Sequence, residues 1–148
     1  MVLCIPSGYS RVMTSVQRSF RLSKATCDLL DARARASHES RNSLVERLLA
    51  ESLRTELHPL ITFSAGAGGR REPLIIGTRI LVRQVMPIVQ AEGVDQAAQT
   101  LELPQRLVQA AVAYFADFED EVTADMEWAG EIEAQEQARW ERQQAASA

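Results

Sequence analysis

Residues 17–23 read Gln17-Arg18-Ser19-Phe20-Arg21-Leu22-Ser23, QRSFRLS in one-letter code. Alternation at period two puts Gln17, Ser19 and Arg21 on one face of a strand and Phe20 and Leu22 on the other. Arg18, between Val16 and Phe20, is the flaw in the apolar face. Ser23 stands where it can cap a helix running to about Ser37. The apolar positions of that helix, Cys27, Leu30 and Ala34, are spaced i, i+3, i+7, and Leu29 widens the stripe. Cys27 therefore reads as a small core residue. His38 and Glu39 form a short break, and Ser40 is a second N-cap. Leu44, Val45, Leu48, Leu49 and Leu53 then make a strongly amphipathic helix to about Leu57, which Pro59 closes.

One strand and two short helices cannot bury themselves, because about 40 residues lie at the lower limit for an isolated core. The strand also has two unpaired edges. Both problems vanish if two copies pair their strands antiparallel and pack their helices together, so the pattern predicts an obligate dimer. A two-stranded antiparallel ribbon fits the major groove of B-DNA. Gln17, Ser19 and Arg21 would then face base edges, arginine matching guanine and glutamine matching adenine. At the start of the second helix, Ser40, Arg41 and Asn42 offer free backbone N–H groups and the positive dipole end to a phosphate. Lys24 can add a further phosphate contact. Such contacts fix register and carry no sequence information.

These residues resemble the ribbon-helix-helix family of the Arc/MetJ/CopG type. The match runs from Ser19-Phe20-Arg21-Leu22-Ser23 through Ser40-Arg41-Asn42-Ser43-Leu44 and includes the spacing between strand and second cap. The resemblance implies base contacts from Gln17, Ser19 and Arg21 and phosphate contacts from Ser40, Arg41 and Asn42. Two residues depart from the family pattern. Arg18 replaces an apolar residue, and His38 sits where a glycine or asparagine usually makes a left-handed turn.

The formal net charge of -4 alone argues against a nucleic-acid binder. Its distribution argues otherwise. Residues 1–58 carry nine Arg/Lys against six Asp/Glu, whereas the residues after Ala116 carry two against ten. A basic head and an acidic tail suggest two tasks.

Beyond Pro59, the stretch SAGAGG (64–69) reads as a linker or mobile loop, followed by Arg70 and Arg71. Leu74–Val82 reads as strand, turn at Gly77-Thr78, strand. Three short helices follow: Val85–Ala91 ending at Gly93, Gln96–Leu101 capped by Asp95, and one opened by Pro104 with Leu107, Val108, Ala111, Val112 and Phe115 on its face. This layout is of the helix-turn-helix kind, although its helices carry few basic groups. From Asp117 to Gln144 the chain is helix-prone and acidic. Phe118, Val122, Met126 and Ala129 form a thin stripe beside Trp128 and Ile132, and the helix is expected to be marginal without a partner.

Gly77-Thr78-Arg79-Ile80-Leu81-Val82, Gly93, Leu103-Pro104 and Ala110-Ala111-Val112-Ala113-Tyr114 resemble a small bacterial domain of uncharacterised function with a GTRI-x-V core. That resemblance implies an antitoxin of VapB-like character, encoded beside a PIN-like ribonuclease toxin. It implies that the tail blocks the toxin and that a basic side chain, Arg139 or Arg142, enters the toxin's metal site with Trp140 anchored beside it. The tail's expected toxin contacts are Phe118, Val122, Met126, Trp128, Ile132, Arg139, Trp140 and Arg142. The two tryptophans favour such a role because tryptophan is a preferred interface anchor.

An enzyme is not expected. His38 and His58 lie in different elements and read as surface residues, and SAGAGG lacks the lysine and context of a nucleotide loop. Neither cofactor nor metal is expected. With no apolar run near the length of a bilayer span, and with the apolar residues Met1–Pro6 too short and lacking the basic region of a signal peptide, a cytoplasmic protein is expected. The expected architecture is mainly α with a short β ribbon. It comprises a disordered arm (1–15), a ribbon-helix-helix DNA-binding and dimerisation domain (16–58), a small β-turn and three-helix domain (59–116) and an acidic helical tail (117–148). The expected function is an antitoxin that binds operator DNA as a dimer, represses its own transcription and neutralises the toxin. A stand-alone repressor without a toxin is the alternative.

Overall fold

A computed structural model of the chain describes residues 15–66 and 69–147. The expected arm therefore lies almost wholly outside the described residues. The chain is mainly helical with one small antiparallel sheet. It divides into two compact units, one up to Leu44 and one from Val45 onward.

In the first unit, Ser15–Ser23 has no regular secondary structure and is exposed throughout. Helix α1 spans Lys24–Ser37. Its start follows from the Ser23 hydroxyl, which accepts the Thr26 N–H at 3.2 Å. Its end is His38, at φ 57° and ψ 23°, in the left-handed region. A single such residue turns the chain within two positions, and a second helix, α2, begins at Arg41 and runs to Leu57. Ser40 caps it by accepting the Ser43 N–H at 3.1 Å. Among the described residues of this unit, Ala34 and Leu44 are the buried apolar ones. Cys27, expected in a core, is exposed as a free thiol, because cover reaches Ala34 at the far end of its stripe and not the first turn of α1.

The second unit takes in the rest of α2 and everything after it. Strand β1 (Ile61–Ala65) pairs antiparallel with β2 (Arg71–Ile75), with Ile61 opposite Ile75 and Phe63 opposite Pro73. This hairpin corrects two expectations. Ser64 and Ala65 belong to a strand rather than a linker, and Ile80 and Leu81 form no second strand, only a bridge from Leu81 to Leu74. The tight turn is as expected: Gly77 has φ 73°, and the Thr78 hydroxyl both donates to the Ile75 carbonyl and accepts the Ile80 N–H.

Helices α3 (Val82–Glu92), α4 (Val94–Thr100) and α5 (Gln105–Asp117) pack on one another, and α3 also packs on β2. The core joins Ile61 and Ile75 of the sheet to Val82, Val85, Val108, Ala111 and Tyr114 of the helices. Asp95 sits within the first turn of α4 rather than at its cap, which is Gly93. Helix α6 (Glu119–Ser147) is continuous over 29 residues. Its first part is held by Val122, fully buried in this core, with Phe118 and Met126 packed against it. Burial of such side chains contributes about 1.5–3 kcal/mol each, and Glu119, Asp120 and Glu121 in the first turn complement the positive end of the helix dipole, so both favour the start of the tail helix. Among the described residues no helix is long and apolar enough to cross a membrane.

Candidate nucleic-acid interface

The residues expected to read bases, Gln17, Ser19 and Arg21, lie in the unpaired segment and are all exposed. The apolar residues that alternate with them are exposed too: Val16 at 66%, Phe20 at 76% and Leu22 at 52%. Leu29 of α1 is likewise uncovered, as are Leu49, Leu53 and Leu57, a single stripe of α2 at i, i+4, i+8.

The expected phosphate contacts gather at the α1–α2 turn and at the start of α1. Ser40 spends its hydroxyl on the cap and on a 2.8 Å bond to Ser43. Asn42 is exposed. Arg41 forks onto Asp31 of α1, Nε to Oδ1 at 2.6 Å and Nη2 to Oδ2 at 3.0 Å. Lys24 pairs with Asp28 one turn along α1 at 2.7 Å. Both cations thus face a carboxylate of their own chain. The Lys24–Asp28 spacing is legible as an i, i+4 pair. Asp31 is ten residues from Arg41 and is brought to it only by the left-handed turn at His38.

The tail residues divide into two groups. Val122 is buried and Phe118 and Met126 pack on the core, so their surfaces are engaged within the unit. Trp128 is half-buried, with the Arg70 guanidinium 4.9 Å from its ring centroid. Ile132, Arg139, Trp140 and Arg142 are exposed, Trp140 at 55%.

A charged seam that the sequence does not announce runs through the second unit, and its Arg70–Asp125 and Arg54–Glu121 pairs fasten α6. Arg70 bonds to Asp125, which is 3% exposed. Burial pushes the Asp125 carboxyl above its ordinary range, and the Arg70 hydrogen bond and charge oppose this. Arg83 bonds at 2.6 Å to Glu72, which is 1% exposed. Arg54 of α2 bonds to Glu121 of α6 and lies 4.8 Å from the Phe118 ring centroid. The Tyr114 hydroxyl donates to Glu121 at 3.1 Å; burial, then the neighbouring Glu121 carboxylate, raises this phenol's pKa. Arg71 grips Glu51 with two 2.8 Å bonds. His58, expected at the surface, has a side chain only 10% exposed. It sits edge-on to Tyr114 and Phe118, with Nε2 3.0 Å from Asp117 Oδ2. Within this seam, pairs such as Arg54–Glu121 join residues far apart in the chain, and the sequence carries no local signal for that kind of pairing.

Among the described residues no three His, Cys, Asp or Glu side chains converge on a point that could hold a metal ion. What stands out is an exposed segment without regular secondary structure, in which Gln17, Ser19 and Arg21 alternate with apolar residues, next to a capped helix start. No protein-family model, curated protein or solved structure matches the chain.

Proposed function

We propose that the chain is a homodimeric DNA-binding regulator of antitoxin type, in which residues 16–22 of two copies pair as an antiparallel ribbon. The observation that carries this reading is the uncovered apolar half of the segment. Val16, Phe20 and Leu22 are more than half exposed in a single chain, and burying side chains of this size is worth about 1.5–3 kcal/mol each. A second copy covers them and pairs one edge of each strand in the same step, leaving the outer edges to solvent. Gln17, Ser19 and Arg21 then project together from the ribbon's outer face, into a major groove wide enough to admit it. The N-terminus of α2 supplies the flanking phosphate contacts. The exposed end of α6, with Trp140 between Arg139 and Arg142, is the surface left for a protein partner, which we take to be a PIN-like ribonuclease.

The test uses the full chain and a duplex drawn from the region upstream of its own coding sequence. Arg21→Ala weakens binding by about 1–3 kcal/mol and relaxes specificity at one base pair. Unchanged affinity, or no binding of duplex by the wild type at low salt, refutes the DNA-reading role. The tail is tested separately, by co-expression with any ribonuclease encoded beside it. Truncation after Gly130 keeps Val122, Asp125 and Met126 in place and abolishes inhibition. Intact inhibition would remove the tail from the partner interface.

A further inference from the structure

Asp31 holds the forked face of the Arg41 guanidinium. Its two carboxylate oxygens receive Nε and Nη2 of the guanidinium at 2.6 and 3.0 Å. That two-point, fork-to-fork geometry is how arginine also grips a phosphate. The pair is partly open to water, with the Arg41 side chain 67% exposed and that of Asp31 33%. It lies at the start of α2, where the first intrahelical bond is Leu44 N–H to the Ser40 carbonyl. Of the N–H groups before that bond, that of Ser43 is taken by the Ser40 hydroxyl, and those of Arg41 and Asn42 stand at the anion-attracting end of the helix.

We infer that Asp31 is an internal competitor for the phosphate at this helix start, and that it holds down the sequence-independent part of DNA binding. The inference rests on the DNA-reading role proposed above. Arg41 must exchange one anion for another when the duplex arrives. Each protomer thus forgoes part of the affinity that its most favourably placed cation would otherwise add. Because phosphate contacts carry no sequence information, restraining them lowers the affinity for all duplexes alike. The ratio between specific and unrelated duplexes stays the same; what falls is the overall affinity for DNA and its dependence on salt.

The experiment measures affinity of the full-length dimer for its upstream duplex and for an unrelated duplex, over a range of salt. Asp31→Asn removes the competing charge. An exposed ion pair of this kind, present twice per dimer, corresponds to a gain on the order of 2- to 30-fold on both duplexes. The slope of log affinity against log salt steepens by up to about two, one phosphate contact per protomer. The gain disappears in an Arg41→Ala background. Asp31→Gln removes the same charge with a good helix former and gives the same gain, which keeps the idea testable if the asparagine variant fails to fold.

An unchanged or weakened affinity for Asp31→Asn overturns the inference, since Asp31 would then be positioning Arg41 rather than withholding it. A gain that persists without Arg41 also overturns it, as a general charge effect. Those failures leave the DNA-reading role standing. If neither the wild type nor Asp31→Asn binds any duplex at low salt, the role itself has failed and the competitor falls with it.

Discussion

Gly66 is the position where one methyl group should test the buried charge network most sharply. Glycine to alanine at a site with ordinary backbone angles usually stabilises by about 0.4–1 kcal/mol, because the unfolded chain loses freedom. Gly66 is not among the glycines with positive φ, so the backbone tolerates alanine. The space does not. A Cβ at Gly66 would lie 1.9 Å from Glu72 Oε2 and 3.0 Å from its carboxyl carbon. An exposed glutamate would swing aside at little cost, but Glu72 is 1% exposed and its other oxygen holds Arg83 Nε at 2.6 Å. To admit the methyl, the carboxylate must leave Arg83 or the hairpin must open. A hydrogen bond to a charged group is worth about 1.5–3 kcal/mol, and a buried carboxylate stripped of its partner costs about 3–5 kcal/mol. Relaxation of the hairpin loop and the partial exposure of Arg83 offset some of this. We therefore expect Gly66→Ala to destabilise by about 2–3 kcal/mol, a fall of roughly 4–12 °C in melting temperature for a chain of this size. Urea and thermal denaturation followed by circular dichroism give the value. The same substitution in a Glu72→Ala background should cost almost nothing, so the cycle isolates the clash. An effect within about 0.5 kcal/mol of wild type, typical of a surface change away from such features, or an equal cost in both backgrounds, would show that the carboxylate is not what excludes the methyl.

Two further predictions follow from local strain and buried charge. His38→Gly removes the left-handed cost at φ 57°, and should stabilise the chain by about 0.5–1 kcal/mol without changing helix content; a loss of stability in the same melts would mean that the imidazole makes a contact worth more than the strain. For Asp125, burial raises the folded-state pKa above the ordinary 3.8. Its contribution to stability is therefore complete below that ordinary value and is lost as pH rises through the raised one. Asp125→Asn keeps an oxygen for Arg70 and removes the titration, so its stability relative to wild type should rise between pH 4 and pH 7, read from urea midpoints. A relative stability that is flat or falling over that range would contradict the raised pKa.

The helical bounds of the first unit were legible in the sequence. Ser23 and Ser40 cap as their hydroxyls suggest, and the break at His38 and Glu39 falls where α1 ends. The three short helices after Gly77 were also legible, because glycine, proline and the period of 3.6 act within a few residues. The hairpin was not, since β1 is defined by pairing with β2 and shows only weak alternation of its own.

The sequence alone determined where α1 and α2 start and stop and which faces are apolar, because caps, turns and amphipathic spacing are short-range energies set by neighbours along the chain. Only the tertiary structure decided which apolar faces are covered. It took Val122, Phe118 and Met126 of the tail into the core and left Phe20, Leu53 and Trp140 in water. It also chose the partner of each buried charge, setting Arg83 on Glu72, Arg70 on Asp125 and Arg41 on Asp31. Burial and charge pairing depend on what the folded chain brings within a few ångströms, and for Arg70 and Asp125 those neighbours are 55 residues apart.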